Sequence, residues 1–284
     1  GTAPGCAFQE GGVHVLMLPG PPFECQYMFE HQAAPYLERL TDGVIVSHEI
    51  RVFGMGESAV EEALREPMTQ LTNPTLAPYA KTNECMVRAT AKAATREAAE
   101  DLLRPLVEQV KGILGDVVYG VDVDSLEAVV SALLRERGLT LSAAESCTGG
   151  LIAKRMTDLP GASKVFRGGV VSYTNGVKAG VLGVPDALLE QYGAVSEPVA
   201  RAMAEGCRRA CGSDLAVSVT GVAGPDKDDW GNEVGTVYIA LASREGTLCK
   251  RLSCGRGRGR GRVRTSAAHN AFDIIRRTLL GLPL

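Results

Sequence analysis

The sequence predicts an α/β protein: a layered α/β domain over residues 123–284, a small α+β unit over 44–122, and a remnant of a further α/β domain over 1–43. Three observations predict it. From Ser125 onward, strand-like runs alternate with helix-like runs, which is the pattern of a layered α/β domain. Between Val44 and Gly120 the element order reads β-α-β-β-α-β. Residues 1–43 form a strand pair and a helix, too little chain to bury a core alone.

Each element has a local reason. Val13–Leu18 is an apolar strand that Pro19-Gly-Pro-Pro breaks, and Glu24–Leu40 has helical character up to Asp42-Gly43. His48–Phe53 is a strand, and Ser58-Ala-Val-Glu61 is a capping box opening a helix that Pro67 interrupts. Strands follow at Thr75–Ala80 and Met86–Ala93. Thr95 caps a helix running to Leu114, and Asp116–Tyr119 is a last strand of this unit. Past the acidic hinge Val121–Asp124, Leu126, Val129, Val130, Leu133 and Leu134 make one apolar helix face, which Gly138 ends. Strands are expected at Leu139–Glu145, Gly169–Tyr173, Leu215–Thr220, Val234–Ala242 and Leu248–Leu252. Helices are expected at Gly150–Leu159, Pro198–Cys211 and Arg262–Leu280.

Composition narrows the function. The 284 residues are 45% hydrophobic with a net charge of −3, and the isoelectric point is near 5.9. Proteins that live on nucleic acid or anionic membranes usually carry a basic excess, so nucleic acid is an unlikely partner and no membrane is expected. No run approaches the ~18 apolar residues of a membrane span, and no leader pattern opens the chain. The chain lacks an initiator Met and is read as a fragment. The eight cysteines form no C-x-x-C pair and are read as reduced cytoplasmic thiols. The four histidines lack metal-ligand spacing.

Four constellations carry chemistry. Ala144-Glu-Ser-Cys-Thr-Gly-Gly150 lies between a strand and a helix, where free backbone N–H groups can take an anion; the plain alternative is a capped tight turn. Pro160-Gly-Ala-Ser163 presents a hydroxyl, and Tyr173 and Lys178 flank a Thr-Asn-Gly turn. A serine hydroxyl becomes a nucleophile when a base takes its proton, and a lysine stripped of water can serve. Left to themselves, Tyr173 and Lys178 read as solvated loop residues. Ser218-Val-Thr220-Gly221-Val-Ala-Gly-Pro225 ends a strand in a glycine-rich turn able to hold an oxyanion, or is simply a buried strand and its turn. Lys250–Arg264 alternates Gly and Arg, as single-stranded nucleic-acid binders do. Being short and set between a strand and a helix, it more readily offers one or two arginines to a phosphate or carboxylate. The Gly54-Met-Gly56 turn is not the G-x-x-G of a KH module, and few basic residues flank it.

Ala144-Glu-Ser-Cys-Thr-Gly-Gly, Pro160-Gly-Ala-Ser, Val171-Ser-Tyr-Thr-Asn, Tyr192-Gly-Ala-Val-Ser-Glu-Pro, Thr220-Gly-Val-Ala-Gly-Pro and Val234-Gly-Thr-Val-Tyr-Ile-Ala resemble, in this order, the motifs of the CinA C-terminal domain. That is the nicotinamide-nucleotide amidohydrolase family. Residues 44–122 resemble the KH-like middle domain of CinA proteins, and 1–43 the tail of their molybdopterin-binding-like first domain. The resemblance implies hydrolysis of nicotinamide mononucleotide to nicotinic acid mononucleotide and ammonia, in the cytoplasm and without a cofactor, by a protein that forms homodimers. It implies Ser163 as nucleophile, Lys178 as base and Tyr173 as relay or orienting group, with Ser146 the rival nucleophile. Ser146, Thr148, Gly149, Gly150, Thr220, Gly221 and Arg260 are then the substrate contacts. Where many members have Gly-Asp-Arg, this chain has Arg258-Gly259-Arg260, and Asp226–Glu233 replaces a glycine-rich segment. A divalent metal is expected only for the missing part of the first domain, which resembles an ADP-ribose pyrophosphatase, so this chain is expected not to hydrolyse ADP-ribose. Two other readings compete: a catalytically silent nucleotide-binding or regulatory protein, and a single-stranded nucleic-acid binder.

Overall fold

The computed structural model describes residues 3–254 and 259–284. The chain divides into two compact units. One comprises residues 1–48, 63–77 and 88–113, the other 49–62, 78–87 and 114–284.

The chain opens with a hairpin, β1 (Cys6–Glu10) and β2 (Val13–Met17), paired antiparallel with Cys6 opposite Met17. The expected helix is interrupted. It forms as α1 (Pro22–Met28) and α2 (Ala34–Glu38), with a π-helical turn at Phe29–Ala33 between them. Pro35, without a donor N–H, sits in the first turn of α2, where that loss costs least. Next come β3 (Val44–Val52), α3 (Glu57–Ala63), α4 (Arg65–Gln70), β4 (Thr75–Lys81), β5 (Glu84–Ala93), α5 (Arg96–Leu114) and β6 (Val118–Val121). The four strands lie in the order β4-β5-β3-β6. Thr95 caps α5 as expected, accepting from Ala98 N–H at 3.2 Å. The helix Pro67 was expected to interrupt instead ends at Ala63 and restarts, which leaves the proline inside the first turn of α4.

The rest of the chain is a layered α/β structure. Its elements are α6 (Leu126–Glu136), β7 (Leu141–Glu145), α7 (Leu151–Thr157), β8 (Phe166–Val171), α8 (Asn175–Leu182), α9 (Asp186–Tyr192), α10 (Glu197–Cys211), β9 (Leu215–Gly221), β10 (Thr236–Ala242), β11 (Thr247–Ser253) and α11 (Arg260–Leu280). The sheet order is β11-β10-β9-β7-β8. β7 runs parallel to both β8 and β9, whereas β10 is antiparallel to β9 and β11. Every residue of β7 is buried, as a central parallel strand covered on both faces requires. Side chains alternate across it. Leu141 and Ala143 pack with Val130, Ile152 and Phe272 of α6, α7 and α11, while Ala144 packs with Leu182, Leu189 and Met203 of α8, α9 and α10.

One glycine is fixed by close approach. Gly206, inside α10, would place a β-carbon 1.8 Å from the carbonyl oxygen of Leu182 at the end of α8. Helix propensity favours alanine there by about 1 kcal/mol, but a clash with backbone cannot relax by turning a side chain. Gly206→Ala is expected to destabilise the protein by about 2–4 kcal/mol, read by denaturant unfolding.

Candidate active site

The parallel pairing of β7 with β8 and β9 brings the ends of three strands together. Glu145 lies opposite Val171 and Val219 in the sheet, so the residues that follow these strand ends converge. Open parallel sheets gather ligand sites at this carboxyl edge.

Ser146 leaves β7 half-buried, its N–H bonded to Val219 O at 2.9 Å. The turn that follows is held from two sides. Glu145, fully buried, accepts hydrogen bonds from the N–H groups of Ile152 (3.0 Å) and Ala153 (2.8 Å) in the first turn of α7. That satisfies donors which a helix start leaves open. Opposite, Arg264 of α11 donates from Nε to Cys147 O at 3.1 Å and from its terminal nitrogen to Thr148 O at 2.8 Å. In a trans peptide C=O and N–H point in opposite directions. Anchoring Cys147 O therefore turns the Thr148 N–H away from Arg264. Among the described residues neither Cys147 N–H nor Thr148 N–H meets a backbone acceptor. Gly150, with φ of +90°, takes the left-handed conformation that starts α7 without a Cβ penalty.

Lys178 sits on α8, not on a loop past a turn. Thr174 is the extended residue before the helix, and Asn175-Gly176 form its first turn. Asn-Gly imitates a turn signal, and the packing of Leu182 and Ala179 against β7 and α10 overrides it. Lys178 is only 1% exposed. Its Nζ lies 3.2 Å from Ser146 Oγ and donates to Ser172 O at 2.8 Å. Burial lowers its pKa from 10.5 to about 8, with the nearby Cys147 acting in the opposite direction. The Cys147 thiol is itself buried and pushed up to about 12, chiefly by burial and then by Cys254, so it is no thiolate at neutral pH.

The pairing expected for Ser163 is thus found at Ser146. Ser163 is exposed on a short 3-10 turn, Ala162–Lys164, and is not among the hydrogen-bond partners of Lys178. Tyr173 is 55% exposed and does not reach the amine; its hydroxyl bonds to Arg260 at the start of α11. Arg260 also donates to Gly224 O at 2.9 Å, so it joins the β8–α8 connection to the turn after β9. Arg256 and Arg258 lie outside the described residues. Thr148 and Ser172 are fully buried with hydroxyls that have no partner. Thr220, by contrast, is committed: its hydroxyl donates to Ala194 O at 2.8 Å, and Gly221 pairs with Val237 in the sheet. The donor of Thr220 is therefore taken, and its hydroxyl oxygen retains the capacity to accept. The Asp226–Glu233 segment turns on Asp228, which accepts from Trp230 N–H and Asn232, and the Trp230 ring covers Gly193. Sequence reasoning passed over Glu145 and Arg264. An acid ending an apolar strand before a glycine turn, and an arginine one helical turn after Arg260, were the available signals.

Among the described residues no three His, Cys, Asp or Glu side chains gather as a metal site, and no helix is long and apolar enough to cross a membrane.

Residues 123–279 match the CinA C-terminal domain, and residues 47–120 match the KH domain of damage-inducible protein CinA. The chain belongs to the CinA family. It is 48% identical over 286 residues to a CinA-like protein of Desulfovibrio desulfuricans, covering 100% of this chain and 67% of that one. To a CinA-like protein of Dictyoglomus turgidum it is 45% identical over 284 residues, covering 99% of this chain and 68% of that one. Two solved CinA structures share the fold over just more than half of this chain. A CinA superfamily protein from Klebsiella pneumoniae is 29% identical with a TM-score of 0.53, over 55% of this chain and 96% of that one. A competence/damage inducible protein from Agrobacterium tumefaciens is 36% identical with a TM-score of 0.51, over 55% and 93%.

Proposed function

We propose that this CinA-family chain is an amidohydrolase that converts nicotinamide mononucleotide to nicotinic acid mononucleotide and ammonia, with Ser146 as nucleophile and Lys178 as base. The observation that carries this reading is a buried amine, largely stripped of water, within hydrogen-bond reach of a serine on a glycine turn. An uncharged Lys178 takes the Ser146 hydroxyl proton as the oxygen attacks the carboxamide carbon. The Thr148 N–H, with that of Cys147, receives the negative oxygen of the tetrahedral intermediate. Lys178 returns its proton to the leaving nitrogen, ammonia departs, and an ester to Ser146 remains. Water, deprotonated by the same amine, then releases the acid. Arg260 is exposed and is assigned to the substrate phosphate, with Tyr173 orienting it.

The test is to incubate the protein with nicotinamide mononucleotide and measure both products. Ammonia and nicotinic acid mononucleotide are expected in equal amounts. Calorimetric binding without ammonia would replace this reading with that of a silent nucleotide-binding protein.

A further inference from the structure

A cavity of about 590 Å³ is lined by neither Ser146 nor Lys178. Its walls come from the Phe53–Ser58 turn, the β4–β5 turn at Lys81–Glu84, and one face of α11 carrying Arg262, Ser266 and Asn270, all within one compact unit. Its polar groups are unbalanced in a specific way. Lys81 and Arg262 line it and, among the described residues, pair with no carboxylate. Asn83, held at a left-handed φ of +65°, has a buried amide nitrogen with no acceptor. A buried donor without a partner calls for an explanation, and a ligand acceptor supplies one. Glu84 is already paired with Arg51 at 3.1 Å and accepts a hydrogen bond from the Tyr119 hydroxyl at 2.6 Å. Glu57 is exposed and unmatched at the rim.

We propose that this cavity is a binding site for a small phosphate monoester of a sugar or nucleoside, distinct from the candidate active site. Two unpaired cations suit a phosphate, which takes charge-assisted hydrogen bonds from both. A lone carboxylate suits sugar hydroxyls, the use acidic residues find in nucleotide sites. The volume suits a metabolite. A continuous nucleic-acid backbone fits less well, because the site offers only two cations and the Glu57 carboxylate beside them repels further phosphates. An occupant also braces α11, the helix from which Arg264 holds the carbonyls of Cys147 and Thr148 in the turn after Ser146.

The proposal rests on binding alone and stands or falls apart from amide hydrolysis. The experiment titrates ribose 5-phosphate, inorganic phosphate, ribose and a single-stranded RNA 12-mer into the full chain by calorimetry. The same titrations use Lys81→Ala/Arg262→Ala and Glu57→Gln, all at solvent-accessible positions. Ribose 5-phosphate is expected to bind, ribose not to. The double variant is expected to weaken ribose 5-phosphate at least 10-fold. Glu57→Gln is expected to weaken ribose 5-phosphate severalfold while leaving inorganic phosphate unchanged, which separates the sugar ester from the free ion. No binding at millimolar concentration, binding that the substitutions leave intact, or tighter binding of the RNA would each overturn the proposal.

Discussion

Ser146→Ala is expected to lower ammonia release from nicotinamide mononucleotide by at least about 10³-fold, since loss of a serine nucleophile removes the covalent route altogether. Ser163→Ala is expected to stay within about threefold of wild type, because its hydroxyl is exposed on a short turn and takes no hydrogen bond from Lys178. The contrast between the two variants matters more than either alone. Both replace an accessible hydroxyl with hydrogen, so neither disturbs the core, and a general loss of folding cannot mimic the pattern. If Ser163→Ala proves inactive and Ser146→Ala active, the assignment of the nucleophile is reversed.

The rate is also expected to depend steeply on pH. Only the uncharged amine of Lys178 can accept the Ser146 proton, and its pKa is lowered to about 8 by burial. Below that value kcat/KM is expected to fall about tenfold per pH unit, so that pH 6 gives about 1% of the alkaline plateau. The same shift has a sign in stability. An unfolded lysine holds its proton up to about 10.5, whereas the folded one releases it near 8. Between those values the unfolded state binds more protons, so stability rises with pH across that window, and below 8 the folded state carries the full cost of a buried charge. Lys178→Met is therefore expected to abolish turnover at every pH and to remove the alkaline gain in unfolding free energy. Unchanged slopes in the variant would show that another group titrates.

The alternation of strands and helices after Ser125 was legible because each central strand is a short apolar run and each helix has a defined end. Ser125 does accept from Ala128 N–H, and Gly138 and Gly212 are left-handed where their helices stop. The helix bearing Lys178 was not legible. Asn175-Gly176 carries a strong turn signal, and only the burial of Leu182 and Ala179 against neighbouring elements decides for a helix. Lysines are rarely buried, so its place in the core left no local trace. The choice between Ser146 and Ser163 could not be made locally either. Both lie within a few residues of glycines, and what separates them is which strand end adjoins α8. That is a property of the parallel β7–β8 pairing, which no single motif encodes. Thr220 sits beside a glycine turn that resembles a substrate loop, and the hydrogen bond its hydroxyl donates to Ala194 O, 26 residues away in the chain, left no local trace.

Titration of the Lys178 amine by nuclear magnetic resonance, in protein with isotope-labelled lysine and with Lys178→Arg to assign the signal, measures the central quantity without any substrate. A midpoint near 8, moving when Ser146 is replaced by Ala, is the predicted result. A midpoint at or above 10, indifferent to Ser146, would mean a solvated ammonium that cannot activate the serine.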